Sequence, residues 1–269
     1  MPLEQIITLA IVQGLTEFLP VSSSGHLALT PVLFGWKDQG LMMDVAAHMG
    51  TLGSVLVYFW RDVWMLIQSP FDLLRGEKTP NTKLLFNLLV ATLPIVVIGF
   101  LFDKLLGDAL RSVEVIAWAG ILFGLLMYVA DQKGKLLKTE GHIGIPQAFI
   151  FGLAQCLALI NGTSRSGITM TAGRFMSFKR VDAARFAFLM SIPAISAAGV
   201  LKGIHLIKEG DTALYTDAAL MAGFSFIAGI GAIAFMMRWL RRSTLTPFVI
   251  YRLLLGVGLL WAVYGGYLG

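Results

Sequence analysis

The chain has 269 residues, of which 57% are hydrophobic and only 14% charged, with a mean hydropathy of +0.76. A soluble domain carries about 25% charged residues, so this composition excludes an ordinary soluble enzyme and describes an integral membrane protein. The formal net charge of +5 is spread over short connections without a basic face, which points to membrane-surface electrostatics and not to nucleic acid, and a lone Cys156 excludes an internal disulfide and a multi-cysteine metal site.

Residues 1–269 read as one membrane domain, because spans of about 20 residues each use up most of the length. The first eighteen residues lack a basic n-region and carry Glu4, unlike a cleaved signal. Residues 2–19 are apolar and stop at Pro20; residues 26–36 are apolar, short, and closed by Lys37 and Asp38. Neither piece spans about 30 Å by itself, so the pair reads as a helix–loop–helix that enters and leaves on one side. Spans follow at 41–60, 83–102 and 113–131, with 61–83 read as a basic loop. A polar linker precedes a second broken pair, 146–160 and 168–178, and then spans at 184–203, 217–238 and 247–268.

The second half repeats the first at a constant spacing of 142 residues: Gln13 recurs as Gln155, Leu15 as Leu157, Ser22 as Ser164, Ser24 as Ser166 and Gly25 as Gly167. The expected fold is therefore all-α, with six transmembrane helices and two re-entrant helical hairpins. It forms an inverted-topology repeat, because three spans per half turn the second half over. Repeat one covers about 1–132 and repeat two about 145–269. In this threading Arg61, Arg75, Lys78, Lys83, Lys133, Lys135, Lys138, Lys179, Arg180, Arg238, Arg241 and Arg242 share one side, against Lys37, Lys104, Arg111, Lys202 and Lys208 on the other. The lysine- and arginine-rich side marks the cytoplasm. Both termini are then external, the first hairpin dips in from outside, and the second rises to meet it.

Ionisable groups at membrane depth cost about 2.5–3.5 kcal/mol each and are functional or paired. Gln13 and Glu17 share a helix face four residues apart, a pairing suited to a hard divalent cation or to acid–base work. Ser22, Ser23, Ser24, Gly25 and His26 restart a helix after a break. Three serines exceed the needs of an N-cap, and a helix N-terminus there is an anion site. His26 next to them is a general base or acid near neutral pH. Gly162, Thr163, Ser164, Arg165, Ser166 and Gly167 form an anion-binding nest in which Arg165 grips phosphate or pairs with Glu17. Thr169, one turn on, offers another hydroxyl. Arg174 reads either as a further donor or as a side chain snorkelling to the cytoplasm. Asp44 and His48, four apart, suggest an interhelical hydrogen bond, and Arg252 an intramembrane cation that pairs with a carboxylate or a helix C-terminus. His142 and His205 fall in loops. Gly50, Gly53, Gly223, Gly229 and Gly231 read as close helix contacts.

Gln13-Gly-Leu-Thr-Glu17 followed by Pro20-Val-Ser-Ser-Ser24-Gly25-His26, and Asn161-Gly162-Thr163-Ser164-Arg165-Ser166-Gly-Ile-Thr169 in the second half, resemble the two motifs of the undecaprenyl-diphosphate phosphatases of the bacitracin-resistance type. Asn161 stands where that family usually has proline. The resemblance covers nearly the whole chain. It implies hydrolysis of undecaprenyl diphosphate to undecaprenyl phosphate and inorganic phosphate, which recycles the lipid carrier for peptidoglycan synthesis. It also implies a bacterial inner-membrane location, a divalent cation and the inverted-repeat fold.

Carried onto this sequence, Glu17, Ser23, His26 and Arg165 are the expected catalytic residues. Gln13, Ser22, Ser24, Gly162, Thr163, Ser164, Ser166 and Thr169 are the substrate-binding ones, and Glu17 with Gln13 hold Mg²⁺ or Ca²⁺. Ser23 is expected to attack with His26 as its base; a water nucleophile is the rival. The pocket is expected to face the periplasm and the chain to form a homodimer. An inverted-repeat secondary transporter, or a flippase of a phosphorylated lipid, is the alternative function.

Overall fold

The computed structural model describes residues 1–106, 112–206 and 212–267; Arg111 and Lys208 of the charge count lie outside them. Eleven α-helices occupy the described residues: α1 (Leu3–Phe18), α2 (Ser23–Phe34), α3 (Gly40–Tyr58), α4 (Trp60–Leu74), α5 (Pro80–Leu106), α6 (Val113–Lys133), α7 (Ile145–Cys156), α8 (Arg165–Phe175), α9 (Arg180–Leu206), α10 (Thr212–Trp239) and α11 (Thr246–Tyr264). Six of them, α3, α5, α6, α9, α10 and α11, are long and apolar enough to cross a membrane, and they coincide with the six expected spans. At about 1.5 Å per residue, α1, α2, α7 and α8 reach only about 24, 18, 18 and 16 Å, short of the ~30 Å hydrocarbon core.

The two broken stretches fold alike because the same residues recur. Ser22 and Ser164 are the N-caps of α2 and α8, and their hydroxyls accept from the Gly25 and Gly167 amides at 3.4 and 3.1 Å. Both serines have positive φ, 78° and 71°, a region where a non-glycine residue is strained by about 1–3 kcal/mol. Such strain persists only where the surroundings hold it, and here they hold it twice. The packing partners repeat as well. α1 lies on α10 and α7 on α5, while α3 meets α9 and α6 meets α11, so exchanging the halves maps these four contacts onto themselves.

Several expectations change. Residues 61–83 are not simply a loop: α4 fills most of the stretch. Trp60, Trp64, Ile67, Phe71 and Leu74 are exposed along one face of α4, and Asp62 and Ser69 are buried on the other. His205 belongs to the helical backbone of α9, and His142 to a short 3₁₀ turn in the linker. Of the glycines, Gly50 is where α3 rides on α10: a Cβ there would sit 2.1 Å from the Ala222 carbonyl oxygen. Gly223 and Gly231 face open space and do not mark close contacts.

Arg174 is neither a substrate donor nor a snorkeller. It is 1% exposed and donates to the Asp131 carboxylate at 3.0 Å and to the carbonyls of Gly134, Lys135 and Phe178. Asp131 also takes Arg180 at 2.7 Å and the Leu245 amide at 3.0 Å. This clamp ties α6, α8 and the start of α11 together at one end of the bundle.

Candidate active site

The two helix breaks meet. Arg165, the first residue of α8, donates through Nη2 to Glu17 Oε1 at 2.8 Å, across to the last turn of α1. Glu17 Oε2 accepts from Ser23 Oγ at 2.6 Å and from Gln13 Nε2 at 3.0 Å. The carboxylate is 6% exposed, so it survives at this depth because both oxygens are hydrogen-bonded and one faces a cation. Ser166 Oγ adds a second tie between the halves, donating to the Leu19 carbonyl at 3.1 Å.

A cavity of about 490 Å³ opens over this pair. Glu17, Ser22, Ser23, Ser24, Ser164 and Arg165 of the expected set line it. Arg165 Nη1 is buried and makes no hydrogen bond. A buried charged donor without a partner is costly, and its wall position suits an anion. Leu27, Ile95, Leu159 and Ile195 supply an apolar side, so the cavity suits a ligand with a charged head and a hydrocarbon tail.

Other expected residues stand back from it. Gln13 lies behind Glu17, fully buried, with Oε1 unpartnered. Thr169 Oγ1 donates within α8, to the Arg165 carbonyl at 2.7 Å, and so is committed to its own helix. Thr163 is buried with its hydroxyl unpartnered. Gly162 has φ +93° and packs where any Cβ would lie 2.4 Å from the Ile116 carbonyl oxygen; its role is close approach of the loop to α6.

His26 is the main departure from the expected arrangement. Its Nδ1 donates to the Ser22 carbonyl at 2.7 Å, and its Nε2 accepts from the Tyr251 hydroxyl at 2.6 Å. The ring lies outside this cavity, and the partner of the Ser23 hydroxyl is Glu17.

Three residues were underread from sequence. His48 lines the cavity: its Nδ1 donates to the Asp44 carbonyl within α3, which turns Nε2 toward Glu17 Oε2 at 3.8 Å. Its spacing from Asp44 was visible, but the role assigned to the pair was structural. Gln155 also lines the cavity, 1% exposed and with both amide atoms unpartnered; its place opposite Gln13 in the repeat was the available signal. Arg252 meets no carboxylate among its hydrogen-bond partners. It donates to the carbonyls of Pro20 at 3.4 Å and Gly162 at 2.9 Å, one in each broken loop, and to Ala119 and Gly120 of α6. One buried guanidinium thus satisfies the carbonyls that both helix breaks expose.

For a cation, the described residues offer no cluster of three or more histidine, cysteine or acidic side chains. Glu17 and the unpartnered Gln13 Oε1 are oxygen donors of the kind Mg²⁺ and Ca²⁺ take. Such a set fits a cation that draws its remaining ligands from phosphate oxygens and water.

The comparisons agree with one another. The family model described as bacitracin resistance protein BacA matches residues 6–258. Proteins named undecaprenyl-diphosphatase from Ruegeria sp. (strain TM1040) and Jannaschia sp. (strain CCS1) are each 49% identical over 267 residues, covering 98% of this chain and 100% of theirs. Undecaprenyl-diphosphatase 1 of Rhodospirillum rubrum is 44% identical over 273 residues, covering 99% of this chain and 97% of its own.

Proposed function

The chain belongs to the family of the bacitracin resistance protein BacA, and from that membership and its cavity we propose that it hydrolyses undecaprenyl diphosphate to undecaprenyl phosphate and inorganic phosphate. It is a multi-pass membrane enzyme that returns the lipid carrier to cell-wall synthesis and so counters bacitracin. The observation that carries this reading is the Arg165–Glu17 pair at 2.8 Å, with Arg165 Nη1 free in the wall of a cavity that has both polar and apolar sides.

The diphosphate lies against Arg165, whose free Nη1 donates to the phosphoryl oxygens and stabilises the charge that develops on them. The isoprenyl tail runs along the apolar side. Ser23 is the nucleophile, and Glu17, which holds its hydroxyl at 2.6 Å, takes the proton. The Ser23 oxygen bonds to the terminal phosphorus as the phosphoanhydride bond breaks, and undecaprenyl phosphate leaves. Water then cleaves the phosphoserine, releasing phosphate, and the proton on Glu17 passes to solvent. His26 steadies the Ser22 carbonyl next to the nucleophile and does not serve as its base. Glu17 and Gln13 would hold a divalent cation, Mg²⁺ or Ca²⁺, which would neutralise phosphate charge.

The short α1–α2 and α7–α8 pairs are re-entrant hairpins in this reading, supported by their lengths and by the charged groups at their breaks. The enzyme sits in the bacterial inner membrane with the cavity toward the periplasm and both termini there. The lysine and arginine distribution supports that orientation. The direct test is phosphate release from undecaprenyl diphosphate by purified protein in detergent, where a carrier has no second compartment. Stoichiometric phosphate release supports the enzyme, and its absence leaves only a carrier.

A further inference from the structure

A second cavity, of about 840 Å³, opens between α4, the start of α5, the linker after α6, and α9. Its lining is of two chemical kinds. Met65, Leu73, Leu84 and Phe86 are apolar, and Phe86 is 47% exposed. Asp62, Glu140, Arg185, Asn87, Lys78 and Lys83 are polar or charged. Arg185 forms ion pairs with both Asp62 and Glu140, so its charge is already matched. Lys83 donates to the Gly141 carbonyl at 2.9 Å, and Lys78 is exposed at the rim.

Asn87 is the unexplained group. It is 3% exposed, and its Nδ2 donates to the Ile143 carbonyl at 2.9 Å. That bond fixes which way the amide points, and it leaves Oδ1 a buried acceptor with no donor. Nearby, burial pushes the Glu140 carboxyl up, Arg185 pulls it down, and the Asp62 and Asp182 carboxylates add to the rise. The inner part of the cavity thus sets two carboxylates and an unpartnered acceptor against one guanidinium, while the exposed lysines are open to an anion.

The location says what meets it. α4 connects the spans α3 and α5, so it lies at a membrane face, and its stripe from Trp60 to Leu74 is exposed with its polar side turned inward. A helix of that kind lies in the plane of the interface, its apolar face in the acyl boundary, which sets the cavity at headgroup level.

We propose that this cavity binds the headgroup of a membrane phospholipid that carries a primary ammonium, a phosphoethanolamine lipid. The phosphate meets Lys78 and Lys83 at the rim. The ammonium points inward to Asn87 Oδ1, Glu140 and Asp62, and an acyl chain follows Phe86. Each methyl added to the ammonium removes an N–H donor and leaves the charge in place.

The test is native mass spectrometry of the purified full chain in detergent, titrated with dioleoyl lipids bearing ethanolamine, N-methylethanolamine, N,N-dimethylethanolamine or choline. Glycerophosphoethanolamine, without tails, is a parallel arm. Affinity is expected to fall with successive methylation, by about tenfold from ethanolamine to choline, the scale of a charged hydrogen bond. The tail-free headgroup should bind far more weakly. Asn87→Leu should flatten the series, and Lys78→Ala should weaken all four lipids alike. Because the methylation series uses only the native chain, it stands even if Asn87→Leu fails to fold. Equal affinity for the ethanolamine and choline lipids, or a preference that survives Asn87→Leu, overturns the proposal. So does tail-free headgroup binding as tight as the lipid.

Discussion

Ser23 donates its hydroxyl hydrogen bond to Glu17, at 2.6 Å, while His26 is engaged elsewhere by Tyr251. Groups that act as one unit lose their effects together. Ser23→Ala and Glu17→Gln should each lower kcat by about 10²–10⁴-fold, and the double variant should lose little more than the worse single. Ser23→Ala with His26→Ala should instead be close to additive. Additivity in the first pair and strong coupling in the second, measured by phosphate release, would restore His26 as the base of Ser23.

Glu17→Gln should also change the response to metal. The amide keeps the shape but removes the one carboxylate in the proposed cation site. The activity remaining should need about tenfold more Mg²⁺ or Ca²⁺ for half-saturation, by analogy with the loss of a single ligand contact. An unchanged metal titration would show that Glu17 does not hold the cation.

The Arg174–Asp131 clamp predicts a stability effect without a catalytic one. Both side chains are 1% exposed, and removing one partner of such a buried pair costs about 3–5 kcal/mol. Arg174→Met should lower the melting temperature in detergent, with kcat per folded molecule retained. A normal melting temperature with lost activity would move Arg174 into the site.

The broken loops and the spans were legible in the sequence because each rests on local signals: helix breakers, runs of apolar residues, and a repeat that fell on Ser22 and Ser164. What escaped depended on direction or on distance. α4 was hidden because Arg61, Asp62, Gln68 and Asp72 lower its average hydropathy, although the spacing of Trp60, Trp64, Ile67, Phe71 and Leu74 is helical. His48 was read into an interhelical hydrogen bond with no partner named, because its spacing from Asp44 says nothing of the neighbouring α1. The reach of Arg252 into both loops is a matter of packing alone. His26 stands in the motif beside the serines, yet the helix turn that follows Ser22 carries its ring away from the cavity.

The glycine contacts separate packing from mere composition. Gly50→Ala drives a Cβ into the backbone of α10 and should destabilise by about 1–3 kcal/mol; Gly231→Ala meets open space and should be near neutral. Equal melting temperatures for the two variants would contradict the closeness of α3 to α10.

Arg165 is the group that holds the diphosphate in this mechanism. The decisive measurement is the rate of phosphate release from undecaprenyl diphosphate by Arg165→Met, with folding verified by its melting temperature. The expected result is a fall of about 10²–10³-fold or more, the scale of a lost transition-state donor. Release within threefold of the parent chain by a folded variant would contradict it.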